Sequence, residues 1–87
     1  MKEKYSLRVS ALAEKQLKAM PPDDQTRLLR SILRLSDDPR PRGCRKLHGS
    51  LNTYRMRVGY YRIVYAIEDA RLLVLVIKLG HRKDIYR

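Results

Sequence analysis

The stretch Tyr54-Arg55-Met56-Arg57-Val58-Gly59-Tyr60-Tyr61-Arg62-Ile63-Val64-Tyr65 decides the fold. Arginines and tyrosines alternate with apolar residues at the two-residue period of a strand. Gly59 interrupts the alternation and marks a turn, so the segment predicts a hairpin of strands over about 53–58 and 61–67. Glu68-Asp69-Ala70 marks the next turn, and Leu72-Leu73-Val74-Leu75-Val76-Ile77 opens a third strand over about 72–79. The short connections imply an antiparallel meander. The third strand is apolar on both faces, which predicts a central position covered at least partly on both sides.

Working back toward the N-terminus, residues 4–9 alternate with Tyr5, Leu7 and Val9 on one side and read as a short strand. Ser10 is an N-cap for a helix over about 11–20, whose buried stripe is Ala13, Leu17 and Met20. Pro21 and Pro22 break that helix. Pro22 also starts a second one, with Asp23 and Asp24 in the first turn, running to Leu35 or Ser36. Its apolar face is Leu28, Ile32 and Leu35, widened by Leu29 and Leu33. Asp37-Asp38-Pro39-Arg40-Pro41-Arg42-Gly43 ends helical structure, and a basic loop with Lys46, Leu47, His48 and Gly49 leads into the meander. The order β-α-α-β-β-β predicts an α+β domain over residues 1–87. A helical hairpin packs on one face of a small, largely antiparallel four-stranded sheet.

The chain has 87 residues, 20 Lys and Arg against 9 Asp and Glu, and a formal net charge of +11. Such an excess points to an anionic partner. The longest apolar run, Leu72 to Ile77, is far short of the roughly 20 residues of a membrane span, so no membrane is expected. The first residues lack the apolar core of a signal peptide, and the single cysteine, Cys44, has no internal partner; both fit a cytoplasmic protein. His48 and His81 stand apart in sequence, and neither a metal nor another cofactor is expected.

From Pro39 to Ile67 there is no acidic residue, while Arg40, Arg42, Arg45, Lys46, Arg55, Arg57 and Arg62 all lie there. Strand parity with Met56, Val58 and Ile63 facing the helices sets Arg55, Arg57 and Arg62 together on the open face. Such a cluster is more readily tolerated if it binds something negative. Cations beside aromatic rings on a rigid sheet suit a phosphodiester backbone and stacked bases. Arg27, Arg30 and Arg34 make a basic stripe on the second helix, either a solvated face or a second phosphate-contacting ridge. Tyr54, Tyr61 and Tyr65 read as packing residues, and Tyr60 as the exposed one. Gly80-His81-Arg82-Lys83-Asp84-Ile85-Tyr86-Arg87 adds a second basic and aromatic cluster.

Three segments together carry a resemblance: Lys46-Leu47 with Gly49; Tyr54 to Tyr65 as quoted; and Val76-Ile77, then Leu79-Gly80-His81-Arg82-Lys83-Asp84-Ile85-Tyr86. With the element order and length, they resemble the RelE/ParE toxin superfamily, and more narrowly its RelE branch. The resemblance implies the toxin of a type II toxin–antitoxin pair that enters the ribosomal A site. There it cuts mRNA through the RNA's own 2′-hydroxyl, without a metal. It implies that Arg55 and Arg57 are the two basic strand residues of the family. Arg62 is the arginine after the glycine–tyrosine turn, Arg82 the arginine of the terminal motif and Tyr86 the C-terminal tyrosine. It also implies an acidic RelB-like antitoxin, and contact with operator DNA only through it. A ParE-like inhibitor of DNA gyrase and a non-catalytic basic RNA-binding protein are the alternatives.

The chemistry of these side chains can be read without the resemblance. Cleavage of RNA by its 2′-hydroxyl needs a base, an acid, and cations around the pentavalent phosphorane. Arg55, Arg57, Arg62 and Arg82 suit the last role, since a guanidinium binds phosphate oxygens bidentately. Tyr86 can stack on a base or orient the 2′-hydroxyl. Family members often carry lysine where this chain has Arg57, and arginine stays protonated, so Arg57 is a poor base. Proton transfer falls first to His81, then to Tyr86, Lys83 and His48. His81 can equally pack at a strand end. Arg45, Lys46, Tyr60 and Lys83 join the helical stripe as expected RNA or ribosome contacts, although Lys46 can also serve only to cap its loop.

Overall fold

The computed structural model describes residues 4–81. Strand β1 (Ser6–Val9) leads into helices α1 (Ala11–Lys18) and α2 (Pro22–Arg34), followed by β2 (Arg45–Lys46), β3 (Thr53–Val58), β4 (Tyr61–Glu68) and β5 (Leu73–His81). The sheet runs β1-β5-β4-β3-β2; β1 is parallel to β5 and every other pair is antiparallel. It therefore has five strands rather than four. The added strand, β2, has only two residues, both basic and exposed, and exists through its pairing with β3. Strand β5 is interior, as expected, but the middle of the sheet is β4, where Arg62, Ile63, Val64, Tyr65 and Ile67 are all buried.

Ser10 caps α1: its hydroxyl accepts from the Ala13 amide and donates to the Ile77 carbonyl. This second bond has a topological reason. Strand β1 stops at Val9, opposite Val76, so β5 beyond that point lacks a strand neighbour on that side. Helix α1 satisfies it instead, with Gln16 Oε1 accepting from the Leu79 amide at 2.7 Å. Gln25 on α2 donates to the Met20 carbonyl at 2.8 Å and ties the helical hairpin together past Pro21.

The core is Ala13, Leu28, Ile32 and Leu35 from the helical side against Ile63, Tyr65, Ile67, Val74, Val76 and Leu79 from the sheet. Leu29 and Leu33, expected to widen the apolar face of α2, are 45 % and 57 % exposed. They stand on the flank of a helix whose sheet-facing stripe is already complete. The Tyr65 hydroxyl is buried and donates to the Pro39 carbonyl at 2.8 Å. Burial pushes its pKa up, so it stays a donor. No helix among the described residues is long and apolar enough to cross a membrane.

A one-residue irregularity between Val64 and Tyr65 in the β4–β5 pairing decides where the end of β5 points. Tyr65 pairs with Val76 and Val64 with Lys78, so Ile77 is the extra residue of a bulge. Val74 and Val76 face the helices before the bulge, and Leu79 does so after it. The bulge thus reverses which face the last residues of β5 present.

Candidate functional site

The sheet face away from the helices carries the arginines. Arg57 pairs directly with Arg62 across β3–β4, and Arg55 pairs with Arg45 across β2–β3. Both pairs border a cleft of about 330 Å³ lined by Arg42, Gly43, Arg45, Arg55, Met56, Arg57 and Arg62. Among the described residues, no acidic side chain lines it. Arg57 is exposed, Arg55 is half-buried, and Arg62 is only 3 % exposed. Poor access to water around Arg62 lets its charge act more strongly on whatever enters the cleft. Gly80 stands opposite Arg62 on β5.

The other expected residues divide among several places. Arg45, Lys46, Leu47, His48 and Arg55 line a hollow that adjoins the cleft and shares two arginines with it. An imidazole, that of His48, therefore stands at the rim. His81 does not come to the cleft. It pairs with Tyr61 on the helix-facing side, because the bulge at Ile77 reverses the parity that would have set it beside Leu75 and Ile77. Its ring lies nearly parallel to Tyr60, centroids 6.3 Å apart, and edge-on to Tyr61 at 5.9 Å. The Tyr61 hydroxyl donates to Asp24 Oδ2 at 2.8 Å, and that bond to a carboxylate raises its pKa. Tyr60 is 71 % exposed, as expected.

Arg27, Arg30 and Arg34 line a separate groove along α2 with Asp23, Thr26 and Ser31. Arg27 reaches the β3–β4 turn: a Cβ at Gly59 would lie 2.9 Å from its Nη1, and Gly59 has the positive φ of +60° that the turn demands. Arg82, Lys83 and Tyr86 lie outside the described residues. Among those described, no three His, Cys, Asp or Glu side chains come together to hold a metal ion.

Two features escaped the sequence reading. Arg42 and Gly43 line the cleft from a tight turn in which the Cys44 amide donates to the Pro41 carbonyl at 3.1 Å. Gly43, at φ +93°, takes the third turn position. The Pro-Arg-Gly run carried the signal for the turn, though not for its place beside the sheet. The second feature is a clamp. Arg40 donates to both oxygens of Asp69, at 3.2 and 2.8 Å, and to the Tyr54 hydroxyl, and its guanidinium lies over the Tyr54 ring at 5.2 Å. Tyr5 donates to Asp69 as well, at 2.6 Å. Arg40 first, then Tyr5, holds the Asp69 carboxyl down to about 2. These partners are too far apart in sequence for spacing to suggest them.

The family model described as ParE toxin of type II toxin-antitoxin system, parDE, matches residues 7–86. Toxin RelG of Mycobacterium tuberculosis is 31 % identical over 88 residues, which cover 95 % of this chain and 97 % of that protein. The archaeal RelE–RelB complex of Pyrococcus horikoshii OT3 contains a chain that superposes with a TM-score of 0.82 at 27 % identity, covering 91 % of this chain and 96 % of that one. The RelBE2 toxin–antitoxin complex of M. tuberculosis gives 0.80 at 27 % identity, covering 91 % and 99 %. A family model that takes in both helices and the described meander leaves little of the molecule unaccounted for, and the chain belongs to the RelE/ParE superfamily of toxins of type II toxin–antitoxin systems.

Proposed function

We propose that this toxin is a ribosome-dependent endoribonuclease that cuts mRNA in the A site and so stops translation. The observation that carries the reading is the cleft on the open sheet face, where five arginines, Arg42, Arg45, Arg55, Arg57 and Arg62, meet. Relatives named RelE and RelG support the RelE-like target.

In the reaction, the 2′-oxygen attacks the adjacent phosphorus as a base takes its proton. The bond from phosphorus to the 5′-oxygen breaks, and an acid protonates the leaving oxygen. A 2′,3′-cyclic phosphate and a 5′-hydroxyl remain, without need of a metal or other cofactor. Arg55, Arg57 and Arg62 stabilise the charge of the phosphorane, where one well-placed donor is worth about 3–4 kcal/mol, or about 10²- to 10³-fold in rate. Arg82 and Tyr86 are proposed to complete the site, Arg82 on the phosphate and Tyr86 on a base or the 2′-hydroxyl. Proton transfer is assigned to His48, at the rim of the cleft, with His81, at the end of β5, as the alternative. Lys46, Tyr60, Lys83 and the α2 stripe are proposed to hold the ribosome or the mRNA. An acidic, RelB-like antitoxin is the proposed partner that covers these cations, with operator DNA reached only through it.

The test is direct. Purified toxin added to ribosomes holding a defined codon in the A site should cut within that codon, while naked mRNA stays whole. The family model bears the ParE name. Intact mRNA together with inhibited DNA supercoiling would therefore replace this reading with gyrase inhibition.

A further inference from the structure

We propose that the arginine cleft binds two successive phosphates of single-stranded RNA, and that Arg42, on a turn held by the Arg40–Asp69 clamp, is a ligand for the second. The inference rests on the reading of this cleft as an RNA site and adds to it a second phosphate position and the loop that builds it.

The sheet supplies the spacing. The two arginine pairs, Arg57 with Arg62 and Arg45 with Arg55, sit two residues apart along β3. Two residues of a strand rise about 6.8 Å, close to the spacing of successive phosphates along an extended RNA strand. The inner pair includes the buried Arg62, and the outer pair stands near the sheet edge formed by the short β2. Arg42 lines the same cleft from outside the sheet, so the cleft has a second wall. Its guanidinium offers the bidentate geometry a phosphate prefers.

The wall is built in advance. On the N-terminal side of Arg42, the Pro39 carbonyl is held by Tyr65, and the Arg40 side chain by Asp69 and Tyr54. At the turn itself, the Cys44–Pro41 bond and the left-handed Gly43 fix the direction of the chain. On the C-terminal side, Arg45 and Lys46 pair with β3. A mobile arginine would lose more entropy on binding than one carried on such a turn. Asp69 thus acts as a positioning residue, at a distance from the phosphate.

The experiment measures binding of a short, fluorescently labelled 2′-O-methyl oligoribonucleotide, which has no 2′-hydroxyl to attack, over a series of KCl concentrations. Arg42→Ala should weaken binding several-fold and reduce the slope of log K against log salt by about 0.7, the value for one phosphate contact on a single strand. Arg42→Lys should restore most of the slope. Asp69→Asn gives an independent test, because removing a negative charge should by itself tighten RNA binding; loss of the clamp should weaken it. Wild-type binding with an unchanged slope in Arg42→Ala would overturn the second phosphate position and leave the nuclease reading standing. Tighter or equal binding by Asp69→Asn would overturn the positioning role. A wild-type protein that binds polyglutamate but not the oligonucleotide would overturn the proposal and assign the cleft to an acidic protein partner, while the cleavage assay on programmed ribosomes judges the nuclease reading separately.

Discussion

Replacing Arg57 with glutamine should stabilise the fold while it damages the reaction. Arg57 stands directly opposite Arg62 on β3–β4, and Arg45 stands opposite Arg55 two residues further along β3. Like charges directly across an antiparallel pair destabilise by about 0.2–1 kcal/mol. Two unit charges about 5 Å apart repel by about 0.8 kcal/mol at the dielectric of water, and by more where one of them is poorly solvated. Arg62 is buried, but Arg57 is exposed, so its guanidinium can lean outward and relieve part of this. A gain of about 0.5 kcal/mol remains. In a domain of this size it raises Tm by about 2–4 °C. The gain should shrink as salt rises from about 0.01 to 1 M, since the Debye length falls from about 30 to 3 Å. Single-turnover cleavage on programmed ribosomes should meanwhile fall about 10²- to 10³-fold. Thermal melts at low and high salt, run beside the cleavage assay on the same preparation, measure both effects. A lower Tm for Arg57→Gln at low salt would refute the argument that the cross-strand pairing of Arg57 with Arg62 is repulsive.

Tyr65→Phe removes the buried donor to the Pro39 carbonyl and should cost about 1–3 kcal/mol, read as a fall in the denaturation midpoint. Asp69→Asn should lose stability relative to wild type above about pH 4, and the difference should vanish as pH falls toward 2. The folded carboxyl titrates near 2 against an ordinary 3.8, so its contribution is present above the ordinary value and is lost as pH falls through the folded one. Gly59→Ala forces an alanine to φ +60° with its Cβ against Arg27, and should destabilise by about 1–2 kcal/mol in chemical denaturation. His48→Gln should slow single-turnover cleavage about 10²- to 10⁴-fold, while His81→Gln stays near the wild-type rate; the reverse pattern would return proton transfer to His81.

Local patterns were legible in the sequence, and contacts between distant segments were not. The two-residue alternation on either side of Gly59 set Arg55, Arg57 and Arg62 on one face, and the register agrees. Leu28, Ile32 and Leu35 were correctly read as buried, because a helix advertises its stripe in its own spacing. The face on which His81 stands turned on a single residue. An unbroken alternation along β5 would have carried it to the arginine face, and nothing in Val76-Ile77-Lys78 announces that Ile77 bulges. The two residues of β2 are too few to show a period, and their strand character comes wholly from β3. Arg42 and the clamp needed the fold itself. Arg40 and Asp69 meet only because the loop after α2 passes beside the β4–β5 turn, which no run of neighbouring residues records.

The central claim is that the RNA's own 2′-hydroxyl is the nucleophile in a cleft of arginines. The measurement is single-turnover cleavage of ribosome-bound mRNA carrying either ribose or 2′-deoxyribose at the nucleotide immediately 5′ of the cut. The account predicts rapid cleavage of the first, ending in a cyclic phosphate, and none of the second. Equal cleavage of both, or of neither on ribosomes that are otherwise competent, would contradict it.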